Sequence, residues 1–447
     1  MSITGSMNIW KTFPKGGLTP LPMKTRLKDR ALWNASIPPL SIVPLLQHKG
    51  YPATCLVHPR ETVREGMLIG RADSFSGAHV HSPVPGTVKY IEDITLPWGD
   101  KTPAVFIELG GEFSRLGKTV YTHPWDGLRA DRLLSILADK GLVGMGSGIP
   151  VHRKLTIPEG RTVKTLIING IECEPYLCSD YRIMVEKPEE LISGARIAAA
   201  ITHPGRTIIA LSSDGKDAIG ALRKKIKELK ADIEVRSLWP KYPQGDEKQL
   251  IKVLCGEEIS PRGTALDTGT VVLNAGTTLS IYEAVVLQKP LVEKTITVAG
   301  RALRKQANLK VRIGTPLSDL VEECGGFVQM PAKIVVGGPM TGWGVSELSA
   351  PITKTTAGVL FLSAKEVHDS RKTNCLNCGR CLRSCPMGLQ PSALYKWVEH
   401  SAYEEARSEG LLDCCECGCC AYTCPAQLPL LREIRAGKMI LHSGENV

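Results

Sequence analysis

The spacing of the cysteines near the C-terminus constrains this chain more than any other feature of its sequence. Ten of the 15 cysteines lie between Cys375 and Cys424, in two copies of the motif Cys-x2-Cys-x2-Cys-x3-Cys-Pro. In such a run, three thiolates hold one face of a 4Fe-4S cubane, and the fourth, followed by proline, reaches the neighbouring cubane. Zinc sites use paired Cys-x2-Cys units instead of triple ladders of this kind. The spacing therefore predicts two 4Fe-4S clusters.

Because the fourth cysteine of each copy reaches the other cluster, the eight motif cysteines form two mixed sets. We predict that the first cluster is held by Cys375, Cys378, Cys381 and Cys424. We predict that the second cluster is held by Cys414, Cys417, Cys420 and Cys385. The remaining pair, Cys415 and Cys419, is predicted to pack without binding metal. Because clusters of this type pass one electron at a time, a two-electron donor requires a further group that splits the electron pair.

Composition limits the classes of protein that this chain can belong to. Its 447 residues are enough for about three or four domains, and its formal net charge is +10. The sequence has no apolar run of about 18 residues, so it predicts no transmembrane helix. The basic N-terminus lacks the apolar region of a secretory signal, which favours a cytoplasmic location and metal-binding cysteines. Aromatic residues make up only 5% of the chain, so we expect no nucleic-acid partner.

The pattern of strands and helices predicts a multidomain α/β and β protein with four modules. Residues 1–122 read as short strands between Gly and Pro, and the segment His81–Val88 resembles the hairpin tip of barrel-sandwich domains. Residues 123–288 alternate helix and strand, with Asp126 as a candidate helix cap, which predicts a Rossmann-like three-layer domain on a parallel sheet. Residues 289–350 fit a β-grasp (SLBB-type) module, and residues 365–447 fit a helical, ferredoxin-like module.

Four polar segments in the predicted Rossmann-like domain are candidates for a ligand site. A glycine-rich turn, Gly144 to Pro150, is followed by Lys154, and glycines let backbone N–H groups approach a phosphate or a flat ring. Acidic residues follow the next strand in Asn169-Gly-Ile-Glu-Cys-Glu-Pro, where α/β sheets bind ligands. A third segment, 242–249, opens a helix, and a fourth, 274–277, follows a strand.

These segments resemble the flavin- and NADH-binding subunit of respiratory complex I. With the barrel-sandwich and two-cluster modules added in the same order, roughly residues 10–435 resemble the RnfC family, the C subunits of Rnf complexes. Rnf complexes are ion-translocating ferredoxin:NAD oxidoreductases of bacterial membranes.

The resemblance implies a role for each matching residue. Non-covalent FMN would be held by Gly144, Gly146, Gly148, Lys154, Asn169, Asn274 and Thr277. The nicotinamide side of the site would be lined by Glu172, Glu174 and Glu247. None of these carboxylates needs to act as an acid or a base, because hydride passes directly from NADH to the flavin.

The resemblance also implies partners and a location. We expect the other subunits of a membrane-bound Rnf-type complex, including an iron–sulfur subunit, and ferredoxin indirectly. The protein would be peripheral, at the cytoplasmic face of the bacterial inner membrane, and attached through these partners.

Two alternatives stay open, and the first of them rests on a departure from the family pattern. The glycine-rich loop is one residue shorter than usual, with Ile149 and Val151 where Phe and Thr are common. One alternative is a flavin-free iron–sulfur conduit. The other is a cobalamin reductase-like protein, whose chain begins near the glycine-rich loop, whereas residues 1–122 precede it here.

Overall fold

Short strands separated by turns form the N-terminal part of the protein. A computed structural model describes residues 11–260, 263–367 and 371–444. The first elements are α1 (Thr25–Lys28), β1 (Leu32–Asn34), β2 (Leu40–Pro44), β3 (Thr54–Cys55), β4 (Thr62–Val63), β5 (Leu68–Arg71), β6 (Val80–His81), β7 (Gly86–Thr95) and β8 (Lys101–Leu109). Strands β2-β8-β7-β4 form one antiparallel sheet and β3-β5-β6 another. Inward side chains such as Val43, Ile69 and Val88 share one core, so the two sheets pack against each other.

A parallel sheet between helices follows, as the alternating pattern predicts. Its elements are α2 (Ala130–Asp139), α3 (Val151–Leu155), β9 (Thr165–Gly170), α4 (Ser179–Glu186), α5 (Pro188–Thr202), β10 (Arg206–Ser212), α6 (Lys216–Glu228), β11 (Glu234–Leu238), α7 (Glu247–Cys255), β12 (Thr270–Asn274) and α8 (Ala275–Val285). The strand order is β11-β10-β9-β12, with all neighbours parallel. From β9 the chain adds β10 and β11 on one side of that strand and then places β12 on its other side. Open α/β sheets form a ligand crevice where the strand order reverses in this way, which here is between β9 and β12.

The start of α2 differs from the prediction. The helix begins at Ala130, and its cap position is Arg129, not Asp126. Asp126 lies instead in a turn that the N–H of Leu128 closes on the carbonyl of Trp125. Gly127 has a φ of +84° in this turn, a conformation that glycine adopts without strain and that cannot continue a helix.

A six-stranded mixed sheet forms the third module. Its elements are β13 (Glu293–Ala299), β14 (Ala307–Arg312), α9 (Leu317–Glu323), β15 (Lys333–Val336), β16 (Trp343–Val345) and β17 (Gly358–Leu362). The order is β1-β14-β13-β17-β15-β16. Strand β1 comes from the N-terminal part and β17 lies beyond residue 350, so this sheet includes strands outside the predicted range 289–350.

Helices make up the last module, α10 (Arg380–Ser384), α11 (Pro391–Glu399), α12 (Tyr403–Ser408), α13 (Cys419–Tyr422) and α14 (Leu430–Gly444). The two copies of the cysteine motif adopt the same local backbone. Gly379 and Gly418 occupy equivalent positions with φ of +68° and +75°. The hydroxyls of Ser384 and Thr423, each one residue before the last cysteine of its copy, meet at 3.1 Å. Within the described residues, no helix is long and apolar enough to cross a membrane.

Candidate functional site

The ends of two neighbouring parallel strands bring the two predicted asparagines together. Asn169 on β9 lies opposite Asn274 on β12. The Asn169 side chain donates to the carbonyl of Gly245 at 2.8 Å and accepts from the N–H of Ile171 at 3.0 Å. Asn169 therefore fixes the turn after β9 to the segment that starts α7.

The second asparagine caps helix α8. The side-chain oxygen of Asn274 accepts from the N–H of Thr277 at 3.1 Å, and its amide nitrogen donates to Asp180 at 3.2 Å. Burial raises the pKa of Asp180 to about 7. The N–H of Met145 donates to the hydroxyl of Thr277 at 3.1 Å, which ties the glycine-rich loop to this cap. Thr277, which Asn274 holds at the start of α8, thus anchors the glycine-rich loop through the backbone of Met145.

The glycine-rich loop is closed by its own backbone and leaves one glycine facing open space. The N–H of Gly144 donates to Ile149 at 2.8 Å, and the N–H of Gly148 donates to Gly144 at 2.9 Å. Gly148 has a φ of +65° and accepts from the N–H of Lys49 at 2.8 Å. Gly146 is exposed, and no atom lies within 4 Å of where its Cβ would be. Its backbone is therefore open to a flat or anionic ligand.

A cleft of about 880 Å³ lies in front of this loop. Its walls come from the N-terminal module at 48–50, the loop at 145–148, the β-grasp loop at 337–342, and the C-terminal module. Of the residues predicted to bind FMN or NADH, Gly146, Gly148 and Glu174 line it. The structure brings all four modules to this single cleft.

The Glu174 carboxylate lies in the cleft wall, and each of its two oxygens accepts a hydrogen bond. It accepts from the hydroxyl of Thr341 at 2.6 Å and from the N–H of Met340 at 3.0 Å. Burial raises its pKa from the ordinary value. A Cβ at Gly338 would lie 2.4 Å from this carboxylate, so the β-grasp loop approaches closely only because that residue is glycine. Glu174 therefore joins the parallel-sheet domain to the β-grasp module.

Glu172 lies away from the cleft and has a different environment. Its carboxylate accepts from the N–H groups of Asp180 and Tyr181, both at 3.2 Å, at the start of α4. The same carboxylate accepts from the hydroxyl of Ser179 at 3.2 Å. A carboxylate at this position satisfies the free N–H groups of a helix N-terminus. It lines a second, smaller pocket beside Lys24.

Lys154 and Glu247 form an ion pair outside the cleft lining. The Lys154 ammonium donates to the Glu247 carboxylate at 2.7 Å, and the lysine side chain is only 16% exposed. Glu247 is the first residue of α7, which Asp246 caps by accepting from the N–H groups of Lys248 and Gln249. The pair links α3, which follows the glycine-rich loop in the chain, to α7.

Two cavities in the C-terminal module each collect the four cysteines predicted for one cluster. One is lined by Cys375, Cys378, Cys381 and Cys424. The other is lined by Cys385, Cys414, Cys417 and Cys420, with Cys415 and Cys419 also at its wall. Four thiols around one cavity are the donor set that a 4Fe-4S cubane requires. No group of His, Cys, Asp or Glu in the described ranges is arranged to hold a single metal ion.

The second cavity and the large cleft share a wall. Cys414 and Cys415 line both. Between the motif cysteines, Glu416 accepts from Arg435 at 3.1 Å and from Lys438 at 2.6 Å, both on α14. Arg435 also donates to the carbonyl of Thr341 at 2.7 Å. The cysteine loop at the cleft is thus tied to the same β-grasp loop that holds Glu174.

These cleft residues belong to no sequence motif that predicted a site. Thr341, Glu416, Arg435 and Lys438 line the cleft, yet Thr341 lies in a glycine-rich turn, Glu416 lies between two motif cysteines, and Arg435 and Lys438 lie on α14. The one signal is the glycine density at 337–342, which is typical of a closely packed turn. Only the folded structure shows what that turn packs against.

Three family models match consecutive parts of this chain. The RnfC barrel sandwich hybrid domain matches residues 11–112, the Nuo51 FMN-binding domain residues 137–283, and the SLBB domain residues 295–343. The matches confirm the predicted barrel-sandwich, FMN-binding and SLBB modules. Fold and site together define a multidomain redox protein built around an FMN-binding domain.

Curated relatives show the family directly. The chain is 38% identical to the C subunit of the proton-translocating ferredoxin:NAD(+) oxidoreductase complex of Clostridium ljungdahlii, over 94% of this chain and 92% of that one. It is 34% identical to the C subunit of the Na(+)-translocating complex of Acetobacterium woodii, over 97% and 98% of the two chains. It is 35% identical to the C subunit of the ion-translocating oxidoreductase complex of Rhodobacter capsulatus, over 95% and 82%. The chain belongs to this family of C subunits.

Among solved structures, an NAD+-reducing [NiFe]-hydrogenase in its H2-reduced state resembles the fold. The TM-score is 0.53 at 18% identity. The match covers 70% of this chain, which spans 62% of the hydrogenase chain. At this identity the likeness concerns the fold alone.

Proposed function

We propose that this protein is the electron-input subunit of a membrane-bound, ion-translocating ferredoxin:NAD oxidoreductase complex. In this proposal it passes electrons between NADH, FMN and two 4Fe-4S clusters, and from there to partner subunits. One observation carries the proposal: a single cleft is lined both by the open glycine backbone at Gly146 and by Cys414. A flavin site and a cluster site that share a wall allow electrons to pass between them.

The flavin would lie against the glycine-rich loop. Gly146 and Gly148 would approach it through their backbone, while Thr277 and Asn274 hold the loop in place. FMN, when bound, exchanges the two electrons of a hydride with NADH and releases electrons singly. Gly144, Asn169 and the Lys154–Glu247 pair would then position the loop and the strand ends that surround the cofactor. Glu174 would help to shape the nicotinamide side, and Glu172 would orient α4.

The inner cluster, nearer the cleft, would be held in the inner cavity by Cys385, Cys414, Cys417 and Cys420. The outer cluster would be held in the outer cavity by Cys375, Cys378, Cys381 and Cys424. Each cluster carries one electron at a time. The cations Arg435 and Lys438 beside the inner set balance the charge of Glu416 and keep its loop against the cleft.

The partners follow from the family. The chain would work with the other subunits of a membrane-bound Rnf-type complex, including an iron–sulfur subunit, and would exchange electrons with ferredoxin through them. It would be attached peripherally, through those subunits, at the cytoplasmic face of the membrane. A barrel-sandwich domain at residues 11–112 supports this proposal over a cobalamin reductase-like protein, whose chain begins near the glycine-rich loop.

An anaerobic NADH titration of the purified, cluster-replete protein tests the proposal. Flavin absorbance and the EPR spectra of the clusters would be followed together. We expect stoichiometric FMN to bleach and reduced clusters to appear. A protein that contains both clusters but binds no FMN and takes no electrons from NADH would instead be the flavin-free conduit.

A substitution at Gly146 tests the position of the flavin. Because nothing lies within 4 Å of a Cβ there and φ is not positive, Gly146→Val should fold normally while placing a branched side chain at the cleft wall. We expect FMN affinity to fall at least about tenfold, because the added side chain would keep the flavin from contacting the loop backbone. Fluorescence titration of the apo-flavin protein measures the affinity.

The matched control is Gly110→Val. Gly110 is also exposed, with open space around it and no positive φ, but it lies outside the cleft. It should bind FMN as the wild type does. Unchanged FMN affinity in Gly146→Val would show that the flavin does not lie on this loop.

A further inference from the structure

The two cysteine cavities differ in how they meet solvent, because one of the four cysteines of the outer cavity is exposed and none of the four of the inner cavity is. Around the inner cavity, Cys385, Cys417 and Cys420 are each no more than 9% exposed. Around the outer cavity, Cys378 is exposed, and Leu376, which also lines that cavity, is 64% exposed. The outer cavity therefore reaches the protein surface at Cys378, and none of its lining residues lines the cleft.

The two copies of the motif also differ in charge. Residues 371–390 contain four cations, Arg371, Lys372, Arg380 and Arg383, and no acidic residue. Residues 411–427 contain two acids, Asp413 and Glu416, and no lysine or arginine. All four cations of the first copy are exposed. The basic charge thus lies on the copy that surrounds the outer cavity.

Some of these cations are held in place and others are free to meet a partner. Arg383 donates to the carbonyl of Cys378 at 3.2 Å, and Lys372 pairs with Glu399 at 2.9 Å. Within the described ranges, the side chain of Arg380 has no hydrogen bond or ion pair. Leu382, on the same helix, is 46% exposed. Exposed apolar side chains together with basic ones are typical of a protein docking face.

We propose that the outer face, defined by Leu376, Cys378, Arg380, Leu382 and Arg383, docks an electron-transfer protein whose own face is acidic around an apolar centre. The inference rests on the proposed function, because it assumes that a cluster fills the outer cavity. Electron transfer requires that two redox centres approach closely, and Cys378 is the one exposed cysteine among the four that line this cavity. A lipid surface would match the basic charge but has no redox centre to exchange electrons with.

Rebinding to the complex tests the docking face. Full-length, cluster-replete protein would be added to membranes that contain the complex depleted of this subunit, and binding would be measured at several salt concentrations. We expect Arg380→Glu to weaken rebinding at least about tenfold at low salt, and the difference to shrink as salt screens the charges. Leu382→Ser should weaken rebinding with little dependence on salt. Arg223→Glu, an exposed charge reversal on α6, should rebind as the wild type does.

Two results would overturn the docking face. One is rebinding of Arg380→Glu and Leu382→Ser that equals that of Arg223→Glu. The other is a lipid result: the wild type binds phosphatidylglycerol vesicles, Arg380→Glu does not, and both rebind to the complex equally well. That result would assign the face to lipid.

The NADH titration on the same preparations separates the two proposals. NADH should reduce flavin and clusters equally in all variants, and its failure in the wild type would overturn the proposed function alone.

Discussion

Replacing Cys414 by serine should remove one of the two 4Fe-4S clusters, whereas replacing the adjacent Cys415 by serine should leave both. The two thiols are neighbours in sequence, and both line the inner cavity and the cleft. Only Cys414 occupies a ligand position of the repeated motif. The pair therefore separates ligation from local packing, because both variants lose one thiol from the same wall.

We expect Cys414→Ser to lose about half of the bound iron and one set of EPR signals, because each cubane needs four protein ligands. Iron analysis and EPR of the dithionite-reduced protein measure both quantities. Cys415→Ser should keep the wild-type iron content. Equal iron contents in the two variants would mean that the cluster ligands are not those that the spacing assigns.

The same variant tests the order of the electron path. If the inner cluster lies between the cleft and the outer cavity, NADH should still bleach the flavin of Cys414→Ser while the remaining cluster stays oxidised. The matched Cys415→Ser protein should show both reductions. Reduction of the remaining cluster at the wild-type rate would show that electrons reach the outer site by another way.

The sequence predicts those parts of the protein that depend on patterns within short spans of the chain. The cysteine repeat lies within short spans of chain, so its spacing alone groups the thiols as the two cavities do. The parallel sheet follows from strand–helix alternation, and its topology then places Asn169 beside Asn274. In each case, spacing along the chain decides proximity in space.

Contacts between distant segments leave no such pattern. Thr341 reaches Glu174 and Arg435 reaches Thr341, although each pair is far apart in sequence. The same holds for β1, which joins the sheet of the β-grasp module beside β14. Glu172 and Glu174 are two residues apart and read alike, yet one caps a helix and the other lines the cleft. Tertiary packing decided which carboxylate faces the cleft.

Replacing Arg312 by methionine should destabilise the contact between the N-terminal and β-grasp modules more than any exposed substitution. The Arg312 guanidinium donates to the Glu65 carboxylate at 2.7 Å and to the carbonyl of Pro83 at 3.1 Å. The two charged side chains are only 6% and 2% exposed. Removing one partner leaves Glu65 as an uncompensated buried charge, which costs about 3–5 kcal/mol.

Hydrogen exchange measures this cost where it arises, because a chain with several modules does not unfold in one step. A loss of about 3 kcal/mol corresponds to exchange about a hundredfold faster in the amides of β14 and of the β6–β7 turn. Lys89→Met breaks an exposed ion pair with Glu108 and should change exchange by no more than about fivefold. The double variant Arg312→Met with Glu65→Leu should recover much of the loss, since it removes both charges of the pair, while Glu293, which also lies 3.5 Å from Arg312, keeps Lys289 and Lys310 as partners. Wild-type exchange in Arg312→Met would show that this buried pair does not hold the two modules together.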